Sequence, residues 1–368
     1  MFTMCKKIFL DAPNVGQTEK EYLTKAIESS FVSTVGPFVP EFEKEFADYL
    51  GAKKGVSTQS GTAALHMALY ELGAGKGDEV ILPALTFVAS INPILYVGAK
   101  PVVVDVDAET WTIDIKETQK AITSKTKAII PVHLYGNPCE MDNLKAIAKE
   151  YKLSIIEDAT ESLGATYDGK HTGTFGDFGC FSFNGNKIIT TGGGGMVIGN
   201  DEERIEHIRY LVNQAKSDSE KYRHSEIGFN CRMTNIEAAL GLAQMRQLSA
   251  FLEKKKAFNR IYKEELAEIN CISFPKIYSR ADSSHWLNCI MFNDRPNIEK
   301  LQAGMLTKGI PTKRFFKPLT EYGLYQKYEF NSCENSYHIY NNGLCLPSST
   351  LNSEDNIYYV CKTLKSVL

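Results

Sequence analysis

The chain has 368 residues, of which 43% are hydrophobic and 23% are charged, and its formal net charge is −3 at pH 7. These values are typical of a globular protein with two subdomains, and they give no electrostatic reason to expect nucleic acid or an anionic membrane as a partner. No apolar run approaches the ~20 residues of a membrane span, and the N-terminal apolar stretch is too short for a signal peptide, so we expect a cytoplasmic protein. The nine cysteines form no C-x-x-C pair and have no zinc-like spacing, so we expect no metal site.

Between Glu41 and Ile198, helical patterns alternate with short runs rich in Val and Ile, such as "DEVILPA", "AKPVVVDVD" and "LSIIEDA". This alternation predicts a mainly parallel sheet with helices on both faces. Ligands of such sheets bind outside the carboxyl ends of the strands, so the residues that directly follow each strand are the first candidates for a site.

The pattern changes after the stretch from Asn235 to Ile269, which predicts a long helix or a helix pair. A looser α+β region follows, with a terminal helix at about Asp355–Leu368. We therefore predict a large domain of residues 1–250 and a smaller C-terminal domain of residues 251–368.

Small residues stand between a strand and a helix in "STQSGTAAL", where Gly61, Thr62 and Ala63 follow Ser60. Free N–H groups at a helix start bind anions, although an ordinary helix N-cap is the favoured explanation when this stretch is taken alone. Neither a P-loop nor a dinucleotide motif follows any predicted strand. Phe87 comes after the next strand, where it could stack on a ligand ring or belong to the core.

Asp158 ends a strongly apolar strand, where a carboxylate is costly unless a positive partner is present. A protonated pyridine nitrogen would be such a partner, and a helix N-cap is the alternative. Glu161, three residues later, could complete a capping box or lie beside the ring.

Lys187 lies between the aromatic run "FSF" and the four glycines Gly192 to Gly195. Its apolar surroundings argue against an ordinary surface lysine, and a partly desolvated lysine can lose its proton and act as a nucleophile. Ser182 alternates with the phenylalanines and could be a second anion contact. A lysine, an acid and an anion site together fit pyridoxal phosphate, which needs one group for its aldehyde, one for its ring nitrogen and one for its phosphate.

Four stretches resemble the DegT/DnrJ/EryC1/StrS family of sugar aminotransferases: "SGTAALHMAL", "PVHLYGNPCEMD", residues 155–196 and "GFNCRMTNIEAALGLAQM". The resemblance implies the α/β fold of type I pyridoxal-phosphate transferases, which is like that of aspartate aminotransferase. Such a fold has a large domain with a mainly parallel sheet and a smaller C-terminal α+β domain. The amino-acid sequence of these stretches most resembles the branch that acts on nucleotide-linked 4-keto-6-deoxy-N-acetylhexosamines, on routes to bacillosamine- or legionaminic-type sugars.

The resemblance also implies roles for individual residues. Lys187 would bind the aldehyde of the cofactor, and Asp158 would pair with its ring nitrogen. Glu161 stands where many members carry Gln or His near the phenolic oxygen. The phosphate would be held by Gly61, Thr62, Ala63 and Ser182, and the ring would stack on Phe87.

The same resemblance implies a homodimer with composite sites. Asn230 would reach the phosphate of the cofactor in the neighbouring subunit, and Arg232 is a candidate for the carboxylate of the amino donor. The donor would be L-glutamate, and the acceptor would be the C4 ketone of the nucleotide sugar. Lys187 would then act both as covalent anchor and as general acid and base.

Three further basic residues, Lys313, Arg314 and Lys317, could meet the diphosphate of the sugar nucleotide, or they could form a solvated surface. His133 and Tyr135 follow a strand and could line the sugar pocket, or they could belong to the core. Alternative functions are a C3-aminating enzyme, a dehydratase on the same fold, and a non-catalytic sensor that binds the cofactor or the nucleotide sugar. Relatives that replace the lysine with histidine are dehydratases, so Lys187 favours transamination.

Overall fold

The computed structural model describes residues 7–218, 222–293, 297–328, 330 and 332–368. The α-helices are α1 Gln17–Glu28, α2 Phe38–Leu50, α3 Gly61–Glu71, α4 Val88–Tyr96, α5 Ile115–Lys120, α6 Met141–Tyr151, α7 Glu202–Val212, α8 Asn235–Met245, α9 Leu248–Leu266, α10 Ile298–Thr307, α11 Glu334–Asn342 and α12 Glu354–Val367. The strands of the large sheet are β1 Lys54–Thr58, β2 Glu79–Pro83, β3 Lys100–Val104, β4 Thr126–Ile129, β5 Ser154–Asp158, β8 Phe178–Ser182 and β9 Gly195–Gly199. The remaining strands are β6 Thr166–Tyr167, β7 Lys170–His171, β10 Lys216–Asp218, β11 Arg223–His224, β12 Ile272–Ser273, β13 Ala281–Asp282, β14 Asn288–Phe292, β15 Lys313–Arg314 and β16 Gly343–Leu346.

The large sheet has seven strands in the order β1-β9-β8-β5-β4-β2-β3. Neighbouring strands are parallel except for β9, which runs antiparallel to both β1 and β8. Strands β2 and β9 are buried along their whole length, as expected of strands covered by helices on both faces. The predicted α/β architecture with a mainly parallel sheet is confirmed.

The parallel strands deliver the candidate site residues to one edge of this sheet. Asp158 is the last residue of β5, and Ser182 is the last residue of β8. Gly61 begins α3 just after β1, and Phe87 precedes α4 just after β2. These four residues end or follow strands of the sheet, where the sequence analysis places the first candidates for a site, and all four line one cleft.

Strand β9 comes unusually close to the start of α3 at Gly195. A Cβ atom on this glycine would lie 2.5 Å from the carbonyl carbon of Ser60 and 2.7 Å from the amide nitrogen of Gly61. Both neighbours are backbone atoms, which cannot turn aside as a flexible side chain would. The absence of a side chain at Gly195 therefore allows the helix start to settle against the sheet edge.

The smaller domain contains the antiparallel sheet β12-β14-β16-β15. Helix α9 links the two domains as one continuous helix, and its early residues Leu248, Phe251 and Leu252 are buried in the core that contains the large-domain aromatics. Its later residues Phe258, Ile261, Tyr262 and Leu266 belong to the core of the smaller domain. The predicted division between residues 250 and 251 falls inside this helix, because the helix buries apolar side chains in both cores.

The N-terminal segment packs against residues from the C-terminal part of the chain. Ile8 is buried in the core of the smaller domain, and the amide of Phe9 donates to Asn352 Oδ1 at 2.9 Å. The carbonyl of Leu10 accepts from the amides of Ser348 and Ser349. Residues 8–10 thus pack with the C-terminal part of the chain.

Membrane-spanning helices and metal sites are both absent from the described residues. None of the helices in this part of the chain combines the length and apolarity needed to cross a membrane. Within the same residues, no group of three or more His, Cys, Asp and Glu side chains is arranged to hold a metal ion.

The close approach at Gly195 leads to a test of stability. We expect Gly195→Ala to lower the free energy of unfolding by about 1–3 kcal/mol, because the added methyl group must displace backbone. Gly193→Ala is the matched control: its Cβ would meet nothing nearer than 3.7 Å, so a change within about 0.5 kcal/mol is expected. Urea denaturation of both variants measures this difference. Equal stabilities would show that the start of α3 leaves room for a side chain at position 195.

Candidate active site

A cleft of about 450 Å³ opens at the carboxyl edge of the large sheet, between the two domains. This volume lies within the range of small-molecule sites in proteins. The large domain contributes Ser60, Thr62, Asp158, Ser182 and Lys187, among others, and the smaller domain contributes Trp286, Lys313 and Phe316.

The start of α3 forms one end of the cleft. Ser60 is the N-cap, and its Oγ accepts from the amide of Ala63 at 3.1 Å, which fixes the first turn. Gly61 and Thr62 line the cleft. A Cβ on Gly61 would lie 2.9 Å from both Ser182 Cβ and Thr160 Cγ2, so glycine brings Ser182 against the helix start. A helix N-terminus beside a serine hydroxyl is suited to bind a phosphate.

Asp158 is buried, and its carboxylate is fixed by neighbouring hydroxyls. Oδ2 accepts from Ser90 Oγ at 2.7 Å, and Oδ1 accepts from Thr160 Oγ1 at 2.7 Å and from the Thr160 amide at 3.2 Å. Ser90 is in turn hydrogen-bonded to Thr86 Oγ1 at 2.8 Å. These contacts orient the carboxylate in the wall of the cleft.

Lys187 is the basic group at the centre of the site. Its side chain is 13% exposed, and its Nζ lies 3.8 Å from Glu161 Oε1 and 3.9 Å from the centroid of the Trp286 ring. Burial lowers the pKa of Lys187, and this effect exceeds the opposing influence of Glu161 and Asp158. A larger fraction of Lys187 is therefore in the unprotonated, nucleophilic form than would be the case for a surface lysine at the same pH.

Glu161 is the second buried carboxyl of the cleft, and its Oε2 accepts from the amide of Tyr135 at 2.8 Å. Burial raises the pKa of Glu161 to about 7, although Lys187 and the Tyr135 amide act in the opposite direction. Glu161 does not cap a helix, so the predicted capping-box alternative is not found; its carboxyl faces Lys187 instead.

Phe87 and Lys313 lie on the walls of the cleft. Phe87 is 51% exposed although it is a large apolar residue, and its ring lies 5.5 Å from that of Phe316. The two other predicted basic residues have separate partners. Arg314 donates to the carbonyl of Tyr340 at 2.9 Å, and Lys317 pairs with Glu321 at 3.4 Å.

His133 and Tyr135 lie in the core and do not line the cleft. The Nδ1 atom of His133 accepts from the Cys139 amide at 3.0 Å, so its Nε2 carries the proton and donates to Glu157 at 3.0 Å. Tyr135 is buried, and its hydroxyl accepts from the Phe316 amide at 3.0 Å. The sequence left open whether these two residues line a sugar pocket or belong to the core. Their side chains turn into the core, so they have the second of these roles.

Asn230 and Arg232 do not line the cleft of their own chain. Asn230 is exposed and forms a β-bridge with Asn213, and Arg232 donates to Asn213 Oδ1 at 3.3 Å. Their segment nevertheless adjoins the site, since the amide of Gln59, a residue of the cleft wall, donates to the carbonyl of Cys231 at 2.8 Å.

Several residues that line the cleft were not predicted, and among them are Ser90, Thr160, Trp286 and Phe316. Ser90 and Thr160 are short hydroxyl residues next to predicted ones, and their proximity to Phe87 and Asp158 was an available signal. Trp286 and Phe316 come from the smaller domain, and no local pattern links them to Lys187. The rarity of tryptophan, with two in the chain, is the one signal that singles out Trp286.

These residues fit pyridoxal phosphate. The start of α3 and the hydroxyl of Ser182, which come close together because Gly61 has no side chain, form a site for the phosphate. The carboxylate of Asp158 is held in place to pair with a protonated ring nitrogen. Lys187 provides a desolvated amine in the same cleft. Phe87 provides an exposed aromatic ring on which the pyridine ring could stack.

Comparison with known proteins agrees with this fit. The model of the DegT/DnrJ/EryC1/StrS aminotransferase family matches residues 13–365. A GDP-perosamine synthase from Escherichia coli O157:H7 is 38% identical over 353 residues, which cover 96% of each protein. A UDP-N-acetyl-3-dehydro-alpha-D-glucosamine 3-aminotransferase from Acidithiobacillus ferrooxidans is 41% identical over 229 residues, which cover 62% of each protein.

Among solved structures, the PLP form of Spr1654 from Streptococcus pneumoniae matches with a TM-score of 0.94 and 29% identity, over 98% of each chain. The PMP form of the same protein matches equally well in TM-score. The predicted transferase fold and the predicted cofactor, pyridoxal phosphate, are thereby confirmed.

The raised pKa of Glu161 leads to a pH-dependent stability. Its pKa rises from 4.5 to about 7 on folding, so the folded protein binds this proton more tightly, and the resulting stabilisation is lost as the pH rises through 7. Glu161→Gln has no such titration. We expect the stability of the variant relative to the wild type to increase by up to about 3 kcal/mol between pH 4.5 and 8.

Urea denaturation of the cofactor-free proteins at several pH values measures this trend. Glu264→Gln, at an exposed position of α9, is the matched control for the loss of one carboxyl group. A stability difference for Glu161→Gln that stays constant with pH would show that the carboxyl titrates normally in the folded protein.

Proposed function

Because the chain belongs to the DegT/DnrJ/EryC1/StrS aminotransferase family and uses pyridoxal phosphate, we propose that it aminates the C4 ketone of a nucleotide-linked 4-keto-6-deoxy-N-acetylhexosamine. L-Glutamate would be the donor, and the products would be 2-oxoglutarate and a 4-amino-4,6-dideoxy sugar nucleotide. The observation that carries this proposal is the single cleft that both the desolvated amine of Lys187 and the fixed carboxylate of Asp158 line.

When bound, pyridoxal phosphate supplies an aldehyde carbon that accepts amino groups and an electron-withdrawing ring. Lys187 would hold the cofactor until glutamate arrives and would then take the proton from the Cα atom of the donor. Its lowered pKa suits this task, because the amine must be unprotonated before it can accept a proton. In the second half of the reaction, Lys187 would return a proton to C4 of the sugar.

Asp158 would hold a positive charge at the ring nitrogen. Its carboxylate accepts hydrogen bonds from Ser90 and Thr160, so it needs no rearrangement when that charge develops. Groups fixed in this way typically contribute about 3–4 kcal/mol to stabilisation of the transition state.

The nucleotide sugar would enter from the side of the smaller domain. Lys313 lines the cleft and is exposed, so it is the best placed of the three predicted basic residues to meet the diphosphate. Arg314 and Lys317 belong to the same segment, where Arg314 contacts the carbonyl of Tyr340 and Lys317 contacts Glu321. We further assign the carboxylate of glutamate to Arg232, acting in a composite site that two chains share.

Amination at C3 is the second candidate. The relative from Acidithiobacillus ferrooxidans is named for a UDP-linked 3-dehydro sugar, whereas the relative from Escherichia coli is named for a GDP-linked product. Both the nucleotide and the position of the ketone therefore belong in the experiment.

We also propose that two chains form a homodimer with shared sites. Large apolar side chains are exposed along one stretch, where Ile27, Phe31, Val32 and Val35 are 47–63% exposed. Asn235 Nδ2 donates to the carbonyl of Phe31 at 2.7 Å, so this stretch lies beside the segment that carries Asn230. An exposed apolar surface of this kind is typical of a protein interface.

The substrate proposal is tested by separating the two half-reactions. L-Glutamate alone should release 2-oxoglutarate in an amount stoichiometric with the chain and change the absorption spectrum of the bound cofactor. A panel of 4-keto and 3-keto sugars linked to UDP, GDP or dTDP should then show which ketone restores the original spectrum, with the product identified by NMR.

Lys187→Ala is the control for this panel, and we expect it to lose about 100- to 10,000-fold or more in rate. Restoration by 3-keto sugars alone would favour the second candidate. Failure of every keto sugar to restore the spectrum would refute the proposed substrate class.

The dimer is tested by complementation. The Lys187→Ala homodimer lacks the amine, and the Asn230→Asp homodimer places a carboxylate against a phosphate, so both should be inactive or weak. A heterodimer purified through two different tags has one site with both changes and one site with neither, so about half of the wild-type activity should return. No recovery in a proven heterodimer would show that Asn230 does not act across the interface.

A further inference from the structure

The amine of Lys187 lies against an aromatic face from the other domain. Its Nζ is 3.9 Å from the centroid of the Trp286 ring, well inside the ~6 Å over which an aromatic face attracts a cation. Trp286 is 2% exposed, so water does not screen the contact strongly. Tryptophan is also the side chain with the strongest attraction of this kind.

The position of this ring is fixed independently of Lys187. Its Nε1 donates to the carbonyl of Asn186 at 2.7 Å, which ties the indole to the residue that precedes the lysine. The carbonyl of Trp286 accepts from Lys255 Nζ at 2.9 Å. Its backbone also packs against Gly136, where an added Cβ would lie 2.9 Å from the Trp286 amide nitrogen. One contact thus fixes the indole nitrogen, and the other two fix the backbone that carries the ring.

The charged groups around Lys187 leave its ammonium form poorly supported. Burial is the largest influence and disfavours the charge, and Lys313 adds repulsion. Glu161, Asp158 and Asp11 favour the charge. However, Asp158 is already engaged by two hydroxyl groups, and Glu161 is only partly ionised at physiological pH because its pKa is about 7.

We propose that the indole face of Trp286 holds the ammonium form of Lys187 during proton transfer, which makes Trp286 a further catalytic residue. The lone pair of Nζ takes the proton from Cα of the donor, and the electrons of the broken C–H bond stay with the substrate and cofactor. The ring stabilises the resulting cation until the proton is given back. The inference rests on the proposed role of Lys187 but not on the identity of the sugar.

A simpler role for Trp286 would be to exclude water from the amine. The two roles predict opposite effects on the pKa of Lys187. If the ring face binds the cation, weakening that face lowers the pKa further. If the ring only excludes water, its removal lets water reach the amine and raises the pKa.

The decisive experiment weakens the attraction between the indole face and the ammonium group while the shape of the ring stays nearly the same. The chain has two tryptophans, so in a Trp111→Phe background tryptophan analogues with increasing numbers of ring fluorine atoms enter at position 286 alone. The pKa of Lys187 is measured in the cofactor-free, full-length protein by competitive labelling with trace acetic anhydride across pH, quantified by peptide mass spectrometry. We expect the midpoint to fall stepwise with each added fluorine.

Trp286→Leu removes the face altogether, and we expect the labelling midpoint to fall by about 0.4 to 1.5 pH units. Trp111→Leu is the matched control, since Trp111 is equally buried, packs 5.2 Å from Phe315 and should leave the midpoint unchanged. A midpoint unaffected by fluorination, or raised in Trp286→Leu, overturns the proposal. Labelling needs no nucleotide sugar, so failure of the substrate panel leaves this result intact.

Discussion

The cost of keeping an amine out of water at Lys187 shapes the rest of the site. Burial disfavours the ammonium form, and the neighbouring groups compensate only in part. Glu161 supplies a carboxyl from the large domain, and Trp286 supplies an aromatic face from the smaller one. Such a lysine can be neutral when it attacks and charged when it holds a proton, and the proposed reaction needs both states in a single turnover.

The fold creates this balance by bringing together residues that are distant in the chain. Parallel strands deliver Asp158 and Ser182 to one sheet edge, and β9 closes upon the start of α3 because Gly195 has no side chain. The smaller domain then covers that edge with Trp286 and Phe316. Residues of both domains line the cleft, so the geometry of the site depends on how the two domains pack together.

The sequence was informative where a residue's role follows from its local setting. Asp158 ends an apolar strand and Lys187 sits among aromatic residues and glycines, so the amino-acid pattern alone identifies both as candidate site residues. His133 shows the limit of this reasoning, because a position after a strand does not reveal whether the side chain turns toward the cleft or toward a buried carboxylate such as Glu157. Trp286 was out of reach, since its contact with Lys187 depends on the packing of two domains.

Helix α9 has a consequence for the design of fragments. Its first half is buried in one core and its second half in the other. A cut anywhere along it would leave apolar side chains without a partner on both pieces, and residues 8–10 would be severed from the core that they help to fill. The two domains are therefore poor candidates for separate expression, and useful sites for inserting a tag or a new terminus lie in exposed loops away from this helix.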